Sequence, residues 1–215
     1  MSKSLYSVML MDEVVREIDR LALAQNTNRS NLINQILAEY VSYTTPEMRI
    51  NDIFRTIEAM IGEANADLIP FVAPHQSTMQ VKSSLAYRYR PTIKYDVELF
   101  RNEQNGQIGK LSVLYRTQSQ TLAEEMTRFF RLWALIEKRL RPQAELTYAL
   151  GDGRFIRGIG FPEGKNVTSG QAADAIASYI SLLDKALKAY LAGEANEEIL
   201  CQRLKEHLNK EEIWI

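Results

Sequence analysis

The mostly apolar residues 4–10, SLYSVML, fit the two-residue period of a β-strand, with one fully apolar face and one that contains a serine. The two faces of the predicted strand are Tyr6, Val8 and Leu10 on one side and Leu5, Ser7 and Met9 on the other. From residue 12 the pattern changes to a helical one, with apolar residues one turn apart. The first stretch of the chain is therefore predicted to be a strand followed by helical structure.

Two short helices are predicted next, each with a polar residue suited to begin it. Asp12 is a candidate N-cap for the first helix, whose apolar face is Val14, Ile18, Leu21 and Ala22. Asn26 tolerates the left-handed conformation that ends a helix. Ser30 is a candidate N-cap for the second helix, whose apolar stripe is Leu32, Ile33, Ile36, Leu37, Tyr40 and Val41. Because so small a unit cannot bury both helices alone, we expect residues 1–44 to dimerise.

The rest of the chain, 45–215, predicts an α+β domain. Pro70 and Pro74 indicate a loop over 64–78. Asn105-Gly106 and Gly151-Asp152-Gly153 are typical of hairpin turns. The predicted helices are 47–63, 119–140, 168–192 and 195–209, and the predicted strands are 79–90, 92–102, 108–116 and a hairpin over 145–161. The expected architecture is an antiparallel sheet of about five strands with flanking helices.

Composition excludes several classes of protein. The 215 residues are 46% hydrophobic and 25% charged, as in ordinary globular chains. No apolar run approaches the roughly 18 residues of a membrane span. No secretory signal is visible near the start, so we expect a cytoplasmic protein without a membrane role. Cys201 is the single cysteine, and with only His75 and His207 beside it neither a disulfide nor a metal site is expected.

Charge is balanced over the whole chain but not along it. The net charge is −1, whereas residues 82–141 hold 12 basic and 6 acidic side chains. The basic residues singled out there are Arg88, Arg90, Lys94, Arg128, Arg131, Lys138, Arg139 and Arg141. A solvated strand and helix surface explains this excess, and an anion or nucleic-acid patch is the alternative.

No pattern points to catalysis. The glycines of GDGRFIRGIG match neither dinucleotide-binding nor P-loop spacing, and a hairpin turn accounts for them. We find no nucleophile beside a base and no cofactor loop. Catalytic residues, metal ligands and cofactors are therefore expected to be absent. An enzyme is the interpretation that the sequence supports least.

The segment SVMLMDEVVREIDRLALAQNTNRSNLINQILAEYV resembles the ribbon-helix-helix DNA-binding family, of the Arc, MetJ and CopG type. Leu10-Met11-Asp12-Glu13 stands where that family commonly has Leu-Pro-Asp-Glu. Asn26 stands at the family's inter-helix glycine, and Arg29-Ser30 followed by Leu32-Ile33 matches the start of its second helix. The resemblance covers residues 1–44 only.

The resemblance implies how DNA would be bound. Two copies pair their strands into an antiparallel ribbon that enters the major groove. In this chain the base-facing positions would be Leu5, Ser7 and Met9. The amides near Ser30 and Asn31, with Arg29 alongside, would hold phosphate, as helix N-termini do.

Two features depart from the family. Leu5 and Met9 are apolar where the family usually has polar side chains, and residues 1–44 carry a net charge of −1. Affinity for DNA depends strongly on phosphate neutralisation, so Lys3, Arg29 and the segment 82–141 would have to supply charge.

The sequence thus predicts a DNA-binding transcriptional regulator, a repressor, acting as a homodimer or higher even oligomer on double-stranded DNA. Residues 1–44 would bind DNA and dimerise. Residues 45–215 would sense a small effector, assist assembly or bind a protein partner. The alternative is a plasmid-partition or antitoxin-type protein, in which the second domain binds a protein.

Overall fold

A computed structural model describes residues 5–64, 67–72, 77–86, 91–162, 164–211, 213 and 215, and it confirms the α+β class. The helices are α1 Asp12–Ala24, α2 Arg29–Tyr40, α3 Pro46–Ala64, α4 Gln120–Leu140, α5 Ser169–Leu191 and α6 Glu197–Lys210. The strands are β1 Leu68–Val72, β2 Thr78–Ser84, β3 Thr92–Gln104, β4 Gln107–Tyr115, β5 Tyr148–Gly151 and β6 Arg154–Ile159. Over the described part of residues 45–215 this is one strand more than the sequence predicts.

The strands form one sheet in the order β1-β2-β3-β4-β6-β5, and every neighbouring pair is antiparallel. The first four strands follow each other along the chain. The chain then leaves the sheet through α4 and returns to place β6 beside β4, with β5 at the outer edge.

The strand that the sequence analysis missed is β1. Pro70 lies in its middle, paired with Val81 of β2, within a stretch that we predicted to be loop. Proline has no backbone N–H to donate to a neighbouring strand, but an edge strand has no neighbour on one of its sides. Leu68 fixes the strand by burying its side chain in the core.

Both predicted hairpin turns are confirmed by their backbone conformation. Asn105 and Gly106 have φ values of 50° and 72°, and Asp152 and Gly153 have φ values of 49° and 68°. Two successive left-handed residues are what a tight hairpin between twisted strands requires, and Asn, Asp and Gly adopt them most readily.

The core lies between the sheet and helices α3, α4, α5 and α6, and alternate residues of each strand point into it. The predicted apolar stripe of α4 is buried there: Leu122, Met126, Phe129, Phe130, Trp133 and Ile136. Phe54 and Ile57 of α3 are fully buried, and α3 packs against α5. The Arg49 guanidinium donates to the Val167 carbonyl over 2.8 Å, which ties the start of α3 to the residues before α5.

One polar cluster joins the sheet to α5. The Tyr95 hydroxyl donates to Asp184 Oδ1 over 3.0 Å, and Lys188 Nζ lies 2.9 Å from Asp184 Oδ2. Burial, and then the charge and hydrogen bond of Asp184, hold the pKa of Tyr95 well above its ordinary value. The carboxylate is thus buried with a partner on each oxygen.

Candidate nucleic-acid interface

Residues 5–11 form neither helix nor strand within the single chain. Leu5 is 98% exposed and Met9 100% exposed, and Ser7 is exposed as well. Val8, on the other predicted face, is 73% exposed. In a ribbon-helix-helix, the strand pairs with the same strand of a second chain. The strand pairing and the assignment of Leu5, Ser7 and Met9 to the base-facing side therefore stay predictions.

Exposed large apolar side chains are concentrated in this part of the molecule. Of the 18 described residues in this class, 14 lie between residues 5 and 43. They are Leu5, Tyr6, Val8, Met9, Leu10, Met11, Val14, Leu21, Leu23, Ile36, Leu37, Tyr40, Val41 and Tyr43. Exposed apolar surfaces of this kind are typical of protein–protein and membrane interaction sites.

The two N-cap predictions were both wrong by one or two residues. Helix α1 begins at Asp12 itself, and the capping residue is Met11, whose side chain makes no capping hydrogen bond. Helix α2 is capped by Asn28, which precedes the predicted Ser30. Asn and Ser are both good N-caps, so sequence alone does not decide between Asn28 and Ser30.

The Asn28 cap occupies one of the proposed phosphate-binding amides. The backbone N–H of Asn31 donates to Asn28 Oδ1 over 2.9 Å. Between the helices, Asn26 has a φ of 52°, which confirms the left-handed turn predicted there. The structure therefore brings Arg29, Ser30 and Asn31 together on the first turn of α2, with the Asn31 amide already satisfied within the chain.

Arg29 is also engaged within the chain. Its Nε donates to Asp19 Oδ1 over 2.6 Å, and its Nη2 donates to Asp19 Oδ2 over 2.5 Å. Hydrogen bonding to Arg29 lowers the pKa of Asp19, and the same bond raises the pKa of Arg29. A phosphate that binds Arg29 would have to share or displace this carboxylate. No sequence pattern indicates this pair, because its members lie on different helices.

Much of the basic segment 82–141 is neutralised by neighbouring acids. Arg128 pairs with Glu124 and Glu125, and Arg139 pairs with Glu197. Arg141, which we had placed in the basic patch, is buried and faces inward. Of the remaining members, Arg131 is exposed on α4, Lys94 lies on the sheet, and Lys138 has its Nζ over the Tyr148 ring. Arg88 and Arg90 fall outside the described residues.

Arg141 belongs to a buried cluster around Glu137. Arg157 donates from Nε and Nη2 to Glu137 Oε1, over 2.9 and 2.6 Å, while the hydroxyls of Tyr148 and Tyr179 donate to Oε2 over 2.8 and 3.0 Å. Both arginines also donate to the main-chain oxygen of Ile215. The carboxylate thus has partners on both oxygens.

Burial acts differently on the two arginines of this cluster. Burial and the neighbouring charge of Arg157 lower the pKa of Arg141 to about 10. Burial would lower the pKa of Arg157 too, but the Glu137 carboxylate raises it above its ordinary value. Strand alternation was the available signal for this cluster, since Arg157 shares the inward face of β6 with Phe155 and Ile159.

The sulfur and imidazole groups do not form a site in the described part of the chain. No group of His, Cys, Asp and Glu residues among the described residues could hold a metal ion. Cys201 is partly buried, and burial lowers the pKa of His207. His75 lies outside the described residues.

Comparisons with known proteins add no relationship. No family model, curated protein or solved structure matches this chain. Among the described residues, no helix has the length and apolar character to cross a membrane.

Proposed function

We propose that the protein is a dimeric, sequence-specific DNA-binding regulator that uses residues 1–44 as a ribbon-helix-helix. The observation that carries the proposal is the apolar surface of residues 5–43 described above. Its members come from both faces of the predicted strand and from α1 and α2. A second copy of the same segment would bury such a surface and complete the ribbon at the same time.

Helix geometry supports the same proposal. Helices α1 and α2 are joined by a short turn in which Asn26 is left-handed. The buried residues of the two helices are only Ala22, Leu32 and Ala38. Helical hairpins with so little burial are marginal in isolation. Pairing of two copies would supply the missing core.

DNA would then be contacted by Leu5, Ser7 and Met9 in the major groove, with phosphate held near Arg29, Ser30 and Asn31. Leu5 and Met9 suit contact with thymine methyl groups, and Ser7 is the hydrogen-bonding member of the three. Repression would follow from occupying an operator.

The test is a gel-shift of the full chain against the DNA upstream of its own gene, with a scrambled duplex of equal length. We expect a shift of the upstream fragment by a dimer. Replacement of Ser7 by Ala should reduce discrimination between the two duplexes. A wild-type protein that binds both equally, or neither, would overturn sequence-specific regulation.

A plasmid-partition or antitoxin-type function is the second candidate. The observation that favours it is a pair of exposed apolar residues on the edge strand β1, Ile69 and Phe71. They lie on the open face of the sheet, away from residues 5–43 in sequence, where a protein partner could pack. Replacing Ile69 with Ser should weaken capture of that partner and leave the preference for the upstream duplex over the scrambled one unchanged.

A further inference from the structure

A row of basic side chains crosses the face of the sheet that the helices leave open. Lys82 of β2 pairs in register with Lys94 of β3, Lys94 pairs with Leu114 of β4, and Leu114 pairs with Arg154 of β6. All four residues stand at outward positions of their strands. We call Lys82, Lys94 and Arg154 the basic row.

The basic row places like charges together. Lys82 and Lys94 are directly opposite on neighbouring strands, an arrangement that destabilises a sheet. Lys82 Nζ lies over the ring of Phe71, 4.2 Å from its centroid, so its charge is oriented along the surface. An anion bound between the two lysines would relieve this repulsion.

No ion pair neutralises the basic row within the described part of the chain. Elsewhere on the same face Lys110 lies 2.8 Å from Glu98, and on α4 and α6 the pairs of Arg128 and Arg139 are likewise formed. Asp96, two residues from Lys94 on the same face of β3, accepts a hydrogen bond at Oδ1 from Gln80 over 2.8 Å. Lys82 and Lys94 of segment 82–141 thus stand on this face together with Arg154 and without a carboxylate partner among the described residues.

The spacing of the row suits a nucleic-acid backbone. Three strand spacings separate β2 from β6, so the row is about 14 Å long. Duplex DNA carries about one negative charge per 1.7 Å of its axis, and therefore offers several phosphates over that length. Along the row, the half-buried Leu114 of β4 lies between Lys94 and Arg154.

We propose that the basic row binds the phosphate backbone of duplex DNA and supplies affinity without reading sequence. This inference extends the proposed function, because the ribbon positions Leu5 and Met9 cannot hold phosphate. The row would provide the charge that residues 1–44 lack.

The experiment compares two triple variants of the full chain. K82Q/K94Q/R154Q removes the row, and K110Q/R128Q/R139Q removes the same charge from cations that are already paired. Binding to a random-sequence 30-bp duplex is measured by fluorescence anisotropy from 50 to 200 mM salt, and thermal unfolding checks that both variants fold. We expect the row variant to lower the log–log salt slope by about 2.7 for each protomer whose row contacts the duplex, at about 0.9 for each phosphate contact, and the control to change it far less.

Equal slopes for the two variants would overturn the proposal. The proposal would also be overturned if the row variant no longer bound poly-glutamate but bound the duplex as the wild type does, because the occupant would then be an acidic protein. Failure of the proposed function has a different signature. In that case the upstream and scrambled fragments bind alike, while the row variant still binds the random duplex more weakly than the control variant.

Discussion

Arg29 and Asp19 hold each other across the turn between α1 and α2 by two parallel hydrogen bonds. Their side chains are about half exposed, at 52% and 47%, so solvent and DNA can reach both. The pair places a carboxylate on Arg29, the side chain that the proposed function assigns to phosphate. Asp19 is therefore expected to oppose DNA binding.

Replacing Asp19 with Asn should strengthen binding to all duplexes, because Arg29 is then free to donate to phosphate. Replacing Arg29 with Ala should weaken binding to all sequences alike and lower the salt slope by about one. Anisotropy titrations at several salt concentrations measure both effects. If Asp19→Asn changes specificity while leaving the slope unaltered, Arg29 reads bases and the assigned roles are wrong.

Replacing Val8 with Asp should break the dimer. Val8 would be buried in the ribbon, and an unpaired buried charge costs several kcal/mol by order of magnitude. Sedimentation at micromolar concentration should show a dimer for the wild type and a monomer for the variant, with residues 45–215 still folded. Ser7→Asp, on the other face of the same strand, is the matched control and should remain dimeric. A monomeric wild type contradicts the ribbon.

Replacing Glu137 with Gln should destabilise the domain by about 3–5 kcal/mol, because it leaves the buried Arg157 without its counter-charge. Urea unfolding at neutral pH measures the change. Glu124→Gln removes a carboxylate from the exposed ion pair with Arg128, and this control should cost less than about 1 kcal/mol. Similar losses of unfolding free energy in the two variants would mean that the buried Glu137 carboxylate stabilises the fold no more than an exposed one does.

Stability should fall above pH 10, partly through Tyr95. Its pKa is raised in the folded protein, whereas an unfolded tyrosine titrates near 10. Above that pH the unfolded chain loses a proton that the folded chain keeps, so the free energy of unfolding falls by about 1.4 kcal/mol per pH unit from this group. Urea unfolding at pH 9, 10 and 11 should show a shallower fall for Tyr95→Phe, even though that variant is less stable at pH 9. An unchanged slope would contradict the shift.

Much of the fold could be predicted because pattern and turn chemistry agree. The stripe of α4 and the turns at Asn105-Gly106 and Asp152-Gly153 are local signals, and the structure follows them. β1 was missed because Pro70 is a breaker by composition, and its tolerance at a sheet edge depends on strand order, which sequence does not display.

The candidate site could be predicted less well. The segment 1–44 and its surface residues follow from periodicity and resemblance. The pairing of Arg29 with Asp19 and the inward direction of Arg141 depend on contacts between separate elements. The basic row likewise emerges only from register, because Lys82, Lys94 and Arg154 are brought together by three strand pairings.

The packing of α3 on α5 has a consequence for synthesis. During translation α3 leaves the ribosome long before α5, and until then Phe54 and Ile57 lack part of their final cover. Domains generally close as units as the chain emerges, so this one waits for its late helix. A truncated product that stops before Ser169 would keep the amino-terminal segment intact and expose the face of α3, which makes it a substrate for chaperones and proteases.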